Sequence, residues 1–192
     1  MKYIFQLVLV GFVSSAFGQA RPEIHCKHFF NGYPYGAPAS NDLLIRDLYA
    51  LSNNDNTKFA DWVAYKLTLH EIDGELDLDR NWKTDEWLAG AETLEAADYS
   101  GASSEHDYDR GHQAPLGSFK NSIYASQTNH LCNITPQKAD LNRGPWVKLE
   151  NHIRTLVQQF RTAYVMTGPL YEKEMPPLPK ANEKHKVPSG YW

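Results

Sequence analysis

Cysteine is nearly absent: Cys26 and Cys132 are the only two among 192 residues. Two are far too few for a disulfide-stapled scaffold. No glycine period and no self-similar block recurs, which excludes collagen-like and solenoid architectures. No apolar run approaches the roughly 20 residues that a bilayer span needs. Disorder is excluded as well, because 42% of the residues are apolar and 12% aromatic, enough to bury a core. Excess positive charge is also missing. The formal net charge is −4, so the chain as a whole does not attract polyanions.

What is present is uneven. Residues 106–161 carry seven Lys or Arg against four Asp or Glu, a surplus of +3, while the rest of the chain stands at −7. A local field of that kind matters more to an anionic ligand than the total does. The N-terminus has the grammar of an export signal. Lys2 precedes the apolar run Tyr3–Phe12, and small residues fill Ser14–Ala20, so residues 1–18 are read as a signal peptide and 19–192 as one domain. A membrane anchor is the competing reading, and the run is too short for it. The mature protein is expected to be secreted or periplasmic. Export permits a Cys26–Cys132 disulfide, and a buried free thiol at Cys132 with a disordered Cys26 is the alternative. Spacing leaves the two open.

The pattern predicts an α+β domain with an antiparallel central sheet and one long helix. A turn-rich stretch precedes a strand near Leu43–Leu51. Apolar positions alternate through Phe59–His70, a second strand, and Asp73-Gly74 marks a solvated hairpin end. Short strands are expected at Tyr108–Leu116 and at Asn129–Ile134, the latter stopped by Pro136. Arg143–Arg161 repeats Trp146, Leu149, Ile153, Leu156, Val157 and Phe160 at helical spacing, with Pro145 placed in the first turn, where a missing N–H is harmless. Ala163–Gly168 reads as a strand, Met175–Lys180 as loop, and Pro188–Trp192 as a strand just beginning.

Three groups of residues carry chemistry. In Asp109-Arg110-Gly111-His112, an imidazole that titrates near neutrality is a candidate general base. Arg110, two residues earlier on an extended segment, shares its face and suits a phosphate oxygen. Gly111 leaves room for a ligand. Asn142 and Glu150 flank the apolar stripe of the long helix. Oxygen ligands aimed inward suit a hydrated divalent cation, whereas a plain N-cap at Asn142 and a Glu150–Arg154 pair are the bland accounts. Arg80-Asn81-Trp82 is either a phosphate clamp or a surface cation over a ring.

Taken together, RNWKTDEW, DRGHQAPLGSF, NHLCNITPQKADLNRGPWVKLE and YVMTGPLYE resemble the DNA/RNA non-specific endonucleases of the ββα-metal class. That family includes the secreted Serratia nuclease and mitochondrial endonuclease G, and the secreted branch matches best. The resemblance runs from about Lys58 to Trp192. It implies a sugar-non-specific phosphodiester hydrolase acting on DNA and RNA largely without regard to sequence and leaving 5′-phosphate ends. It implies His112 as general base and Mg²⁺ as cofactor, with Mn²⁺ as a substitute. Asn142 is then the direct metal ligand and Glu150 holds metal waters. Arg80 and Arg110 bind phosphate and stabilise the transition state. Asn129 orients the imidazole, and Asn133 lines the site on the substrate side. Relatives continue past the Tyr-Trp pair, so C-terminal strands of the fold are expected to be missing here.

Two other functions compete with this one. A catalytically inactive nucleic-acid-binding fragment would keep the basic region without turnover. A zinc hydrolase would use His25, Cys26 and His28, but that cluster lacks a matching distant pair of ligands.

Overall fold

The computed structural model describes residues 24–75 and 80–192. The expected signal peptide, 1–18, lies outside the described residues. Where one strand was expected near Leu43–Leu51 there are two, β1 (Asp42–Ile45) and β2 (Ala50–Asn54). They form an antiparallel hairpin, closed by a bond from the Arg46 N–H to the Tyr49 carbonyl at 2.8 Å. β3 (Phe59–Thr68) follows, and Thr68 with Glu71 caps the short helix α1 (Leu69–Ile72). This Thr-x-x-Glu box turns the expected strand end into a helix. Among the described residues no hairpin end forms at Asp73-Gly74, and β3 pairs with β2 and with the distant β6 (Thr162–Thr167). Gly74 instead lies against the backbone of Lys120, where a Cβ would sit 2.6 Å from the carbonyl.

The antiparallel sheet runs β1-β2-β3-β6. β3 is its spine and is buried on both faces. Val63, Tyr65 and Leu67 join Leu51, Phe119 and Val157 in the main core. Trp62 and Ala64 point the other way, onto Phe29 and Tyr33 from the N-terminal segment. Trp62 and Leu67 therefore belong to opposite faces, as period-2 geometry requires.

Past α2 (Ala102–His106), a two-stranded ribbon pairs β4 (Tyr108–His112) with β5 (Ile134–Lys138). β4 ends at His112, and a 3₁₀ turn takes Leu116–Ser118. The segment expected as a strand at Asn129–Ile134 is built of 3₁₀ turns, Ala125–Asn129 and Leu131–Asn133. Pro136 does not stop a strand. It lies within β5, opposite Arg110, which a two-stranded ribbon tolerates because both of its strands are edges. A second core, with Phe59, Tyr99, Tyr108, Leu131 and Ile134, backs the ribbon.

The long helix starts earlier than its apolar period shows. It runs from α3 (Ala139–Leu141) through a π turn, Asn142–Trp146, into α4 (Val147–Phe160). Pro145 is therefore inside the helix and not in its first turn. The wider π turn falls where Pro145 has no N–H to give. Of the expected apolar stripe only Val157 is fully buried, while Leu149 and Phe160 are exposed. The chain closes with β7 (Pro169–Leu170) paired to β8 (Gly190–Tyr191). Both cysteines are free, Cys132 buried and Cys26 packed beside Phe29. No described helix is long and apolar enough to cross a membrane.

Candidate active site

Ribbon and helix together frame a cleft of about 940 Å³. His112 and Arg110 reach it from β4, two residues apart on one face. Asn142 comes from the π turn and Glu150 from α4, and Arg80 and Trp82 come from the loop before the second core. Trp146 ties helix to ribbon by donating its indole N–H to the His112 carbonyl at 3.3 Å.

The His112 ring is oriented by Asn129. Nε2–H donates to Asn129 Oδ1 at 3.0 Å, so the neutral ring keeps its lone pair on Nδ1. The Trp82 ring leans against it, with centroids 5.3 Å apart. Burial pushes the imidazole down to about 4; the Asn129 bond opposes this and the Arg80 charge adds to it. At neutral pH the ring is an uncharged proton acceptor.

Asn142 is held by a residue to which the sequence pattern assigns no role. Its Nδ2 donates to Asp109 Oδ2 at 2.9 Å. The same carboxylate takes a two-pronged bond from Arg143, at 2.8 and 2.6 Å. With the amide N–H₂ spent on Asp109, Oδ1 is the atom left for a ligand. Burial raises Asp109, but the bonds from Arg143 and Asn142 outweigh it and hold the carboxyl below the usual range. The only sequence signal for this contact is the position of Asp109 beside Arg110.

Glu150 is half-buried. The i+4 pair with Arg154 exists but is loose, at 4.0 Å, because Arg154 bonds Ser118 Oγ at 2.9 Å and also Asn151. Burial pushes the Glu150 carboxyl up, against the pull of Arg154 and Arg80. A carboxylate this poorly compensated, in the same cleft as an oriented amide oxygen, fits a hard cation with its waters. Arg110 stands between the rings of Tyr99 and Trp82, 5.0 and 5.6 Å from their centroids, and donates to the Ala96 carbonyl at 3.0 Å. Arg80 is exposed at the cleft, and the cation over Trp82 is Arg110.

Three expectations are corrected. Asn133 does not line the cleft. It is fully buried, accepting from the Ala114 N–H and donating to the Ala114 and Thr128 carbonyls, so its amide is used up in joining loops. Gly111 makes room for a neighbouring strand, since a Cβ there would fall 2.4 Å from Gln137 Oε1. The His25, Cys26 and His28 cluster is not a zinc site, because both nitrogens of the buried His28 ring bond backbone, the Arg46 carbonyl and the Lys66 N–H. His130, the other imidazole of the region, is buried against Asp85 and absent from the cleft lining. Among the described residues, one acidic trio, Asp42, Asp55 and Glu92, is close enough to share a cation. It lies outside the cleft.

Cations dominate the cleft walls. Arg80, Arg110, Lys120, Arg143 and Arg154 face Asp109 and Glu150, so the site is positive inside an acidic chain.

A family model described as DNA/RNA non-specific endonuclease matches residues 30–192. A nuclease of Serratia marcescens is 46% identical over 164 residues, covering 84% of this chain and 60% of that protein. Human mitochondrial endonuclease G is 32% identical over 139 residues, 71% of this chain and 46% of that protein. A crystal structure of the EndoG/EndoGI complex superposes with a TM-score of 0.66 at 27% identity, over 81% of this chain and 67% of that one. The chain thus spans about half of the length of the curated relatives it matches.

Proposed function

As this chain belongs to the DNA/RNA non-specific endonuclease family, we propose that its cleft hydrolyses phosphodiester bonds of both DNA and RNA, with His112 as general base and a magnesium ion held by Asn142 and Glu150. The observation that carries the reading is the paired preparation of two groups in one cleft. Asn129 fixes a neutral imidazole with Nδ1 available, and Asp109 fixes an amide with Oδ1 available.

His112 Nδ1 takes the proton of the attacking water as its oxygen approaches phosphorus. Arg110, stacked between two rings, and the exposed Arg80 offset the charge that grows on the phosphoryl oxygens. Asn129 holds the resting imidazole in its accepting tautomer and keeps its bond to Nε2–H once Nδ1 is protonated. Asn142 Oδ1 would bind Mg²⁺ or Mn²⁺ directly, and Glu150 would hold its waters. A bound ion there would supply Lewis-acid neutralisation of developing negative charge. The P–O3′ bond breaks as the new P–O bond forms, and the departing 3′-oxygen takes a proton from water, which leaves 5′-phosphate ends. No contact in this scheme needs a 2′-hydroxyl or a base edge, so both sugars and most sequences serve. The leader-like Met1–Ala20 supports export to the periplasm or the medium.

Supercoiled plasmid and a structured RNA, each incubated with the protein in Mg²⁺, Mn²⁺ or EDTA, test the proposal. Cleavage of both, abolished by EDTA, is expected. Salt-sensitive binding without cleavage in either metal would replace the enzyme with a nucleic-acid-binding module.

A further inference from the structure

The residue that aims the imidazole lies in neither a strand nor a long helix. Asn129 sits at the junction of two 3₁₀ turns, and such short turns supply few bonds of their own. What grips the junction is the 83–87 loop. The Lys83 N–H donates to the Asn129 carbonyl at 3.4 Å, and the Leu131 N–H to the Lys83 carbonyl at 2.9 Å. Between those two bonds lies His130, whose Nδ1 donates to Asp85 Oδ2 at 3.2 Å.

Asp85 is a hub. Its side chain is 0% exposed. It accepts from Arg46 Nε at 3.1 Å and from Arg46 Nη2, from the Trp87 N–H at 2.9 Å, from His130, and from Cys132 Sγ at 3.5 Å. A buried carboxylate is tolerated only with partners of this kind. The hub therefore anchors the 129–133 segment to the β1–β2 turn through a charge that cannot move without stranding Arg46.

We infer that Asp85 and His130 are positioning residues for the nuclease reaction. Their contact fixes Asn129, and Asn129 fixes the His112 ring. The inference rests on the reading of His112 as the base. Asp85 and His130 touch no substrate and line no part of the cleft. Loosening His130 lets Asn129 Oδ1 drift from Nε2, so that the proton redistributes between the ring nitrogens and the accepting atom is lost.

The test compares His130→Phe, which fills the ring volume without a donor, with His130→Asn, whose Nδ2 takes the place of the imidazole Nδ1. Ring tautomers are read from long-range ¹H–¹⁵N spectra, and kcat and KM are measured on plasmid DNA. His130→Phe is expected to lower kcat by roughly 10- to 100-fold, the range seen when a group that orients a functional histidine is removed, with KM changed by no more than about twofold. The His112 signal should lose its single Nε2–H form, and His130→Asn should restore both kcat and the signal. Should His130→Phe fail to fold, His130→Leu takes the same measurements. An unchanged His112 tautomer in the donorless variant, or an equal kcat loss in His130→Asn, would overturn the inference. A wild type that cuts nothing but whose His112 tautomer responds to His130→Phe would defeat the nuclease reading and leave the positioning role standing.

Discussion

Asp109 and Asn142, 33 positions apart in sequence, meet at 2.9 Å, and that contact decides which end of the Asn142 amide faces the cleft. Removing the acceptor frees the amide to turn. Asp109→Ala should raise the Mg²⁺ concentration for half-maximal cleavage by roughly 10- to 100-fold, as loss of a group that orients a metal ligand does, with much of kcat recovered at saturating metal. A metal titration of cleavage rate is the check. An unmoved midpoint would mean that Asn142 needs no orienting partner.

Burial makes the Glu150 carboxylate costly to keep charged. A carboxyl raised by burial binds its proton more tightly in the folded chain than in the unfolded one. Stability is therefore lost as pH rises from its ordinary pKa through the raised one. Glu150→Gln should melt higher than wild type at pH 8 without metal, lose the Mg²⁺-dependent rise in Tm that linkage gives the wild type, and cleave poorly. Thermal melts with and without Mg²⁺ decide it. A variant that melts lower and still responds to Mg²⁺ would contradict the assignment.

Two imidazoles, the buried His28 and the half-buried His112 at the cleft, are each lowered to about 4, chiefly by loss of solvent around the ring. Between pH 6.5 and about 4 the unfolded chain binds more protons than the folded one, so stability falls as pH drops through that window. Urea midpoints measured across it should decline, and His112→Gln should flatten part of the slope. An identical slope in the variant would show that His112 is not held neutral.

Much of the candidate site's arrangement was legible because its groups sit in short local motifs. His112 and Arg110 share a face by strand alternation, and the helix that carries Glu150 announces itself by its period. The rest depends on contacts between distant segments, which no period records. Asp109 to Asn142, Asp85 to His130, and the Asn129–His112 bond all join segments far apart in sequence. Asn133 illustrates the converse, since an asparagine beside a site looks the same in sequence whether it faces ligand or backbone. In the fold, one expected strand was two because the bend at Arg46–Tyr49 is made by a backbone bond without glycine or proline. Pro136 misled because its strand has no inner neighbours, and the helix start was hidden because Ala139–Leu141 shows too few turns for a period to emerge.

Gly111 answers to Gln137. A methyl group added at Gly111 would lie 2.4 Å from Gln137 Oε1, so Gly111→Ala should cost about 1–3 kcal/mol by overpacking. Gln137→Gly in the same chain, which also removes the Gln137 Cβ that would lie 2.7 Å from the new methyl, should recover much of that loss. A double-mutant cycle by chemical denaturation measures the coupling, and additive losses would show that the two do not compete for space.

In the proposed reaction the neutral imidazole of His112 removes a proton in the chemical step. Single-turnover cleavage of a labelled duplex by His112→Ala in saturating Mg²⁺, with affinity followed by fluorescence anisotropy, tests it most directly. The rate should fall by about 10²–10⁴-fold at nearly unchanged affinity, whereas cleavage at the wild-type rate would show that His112 is not the base.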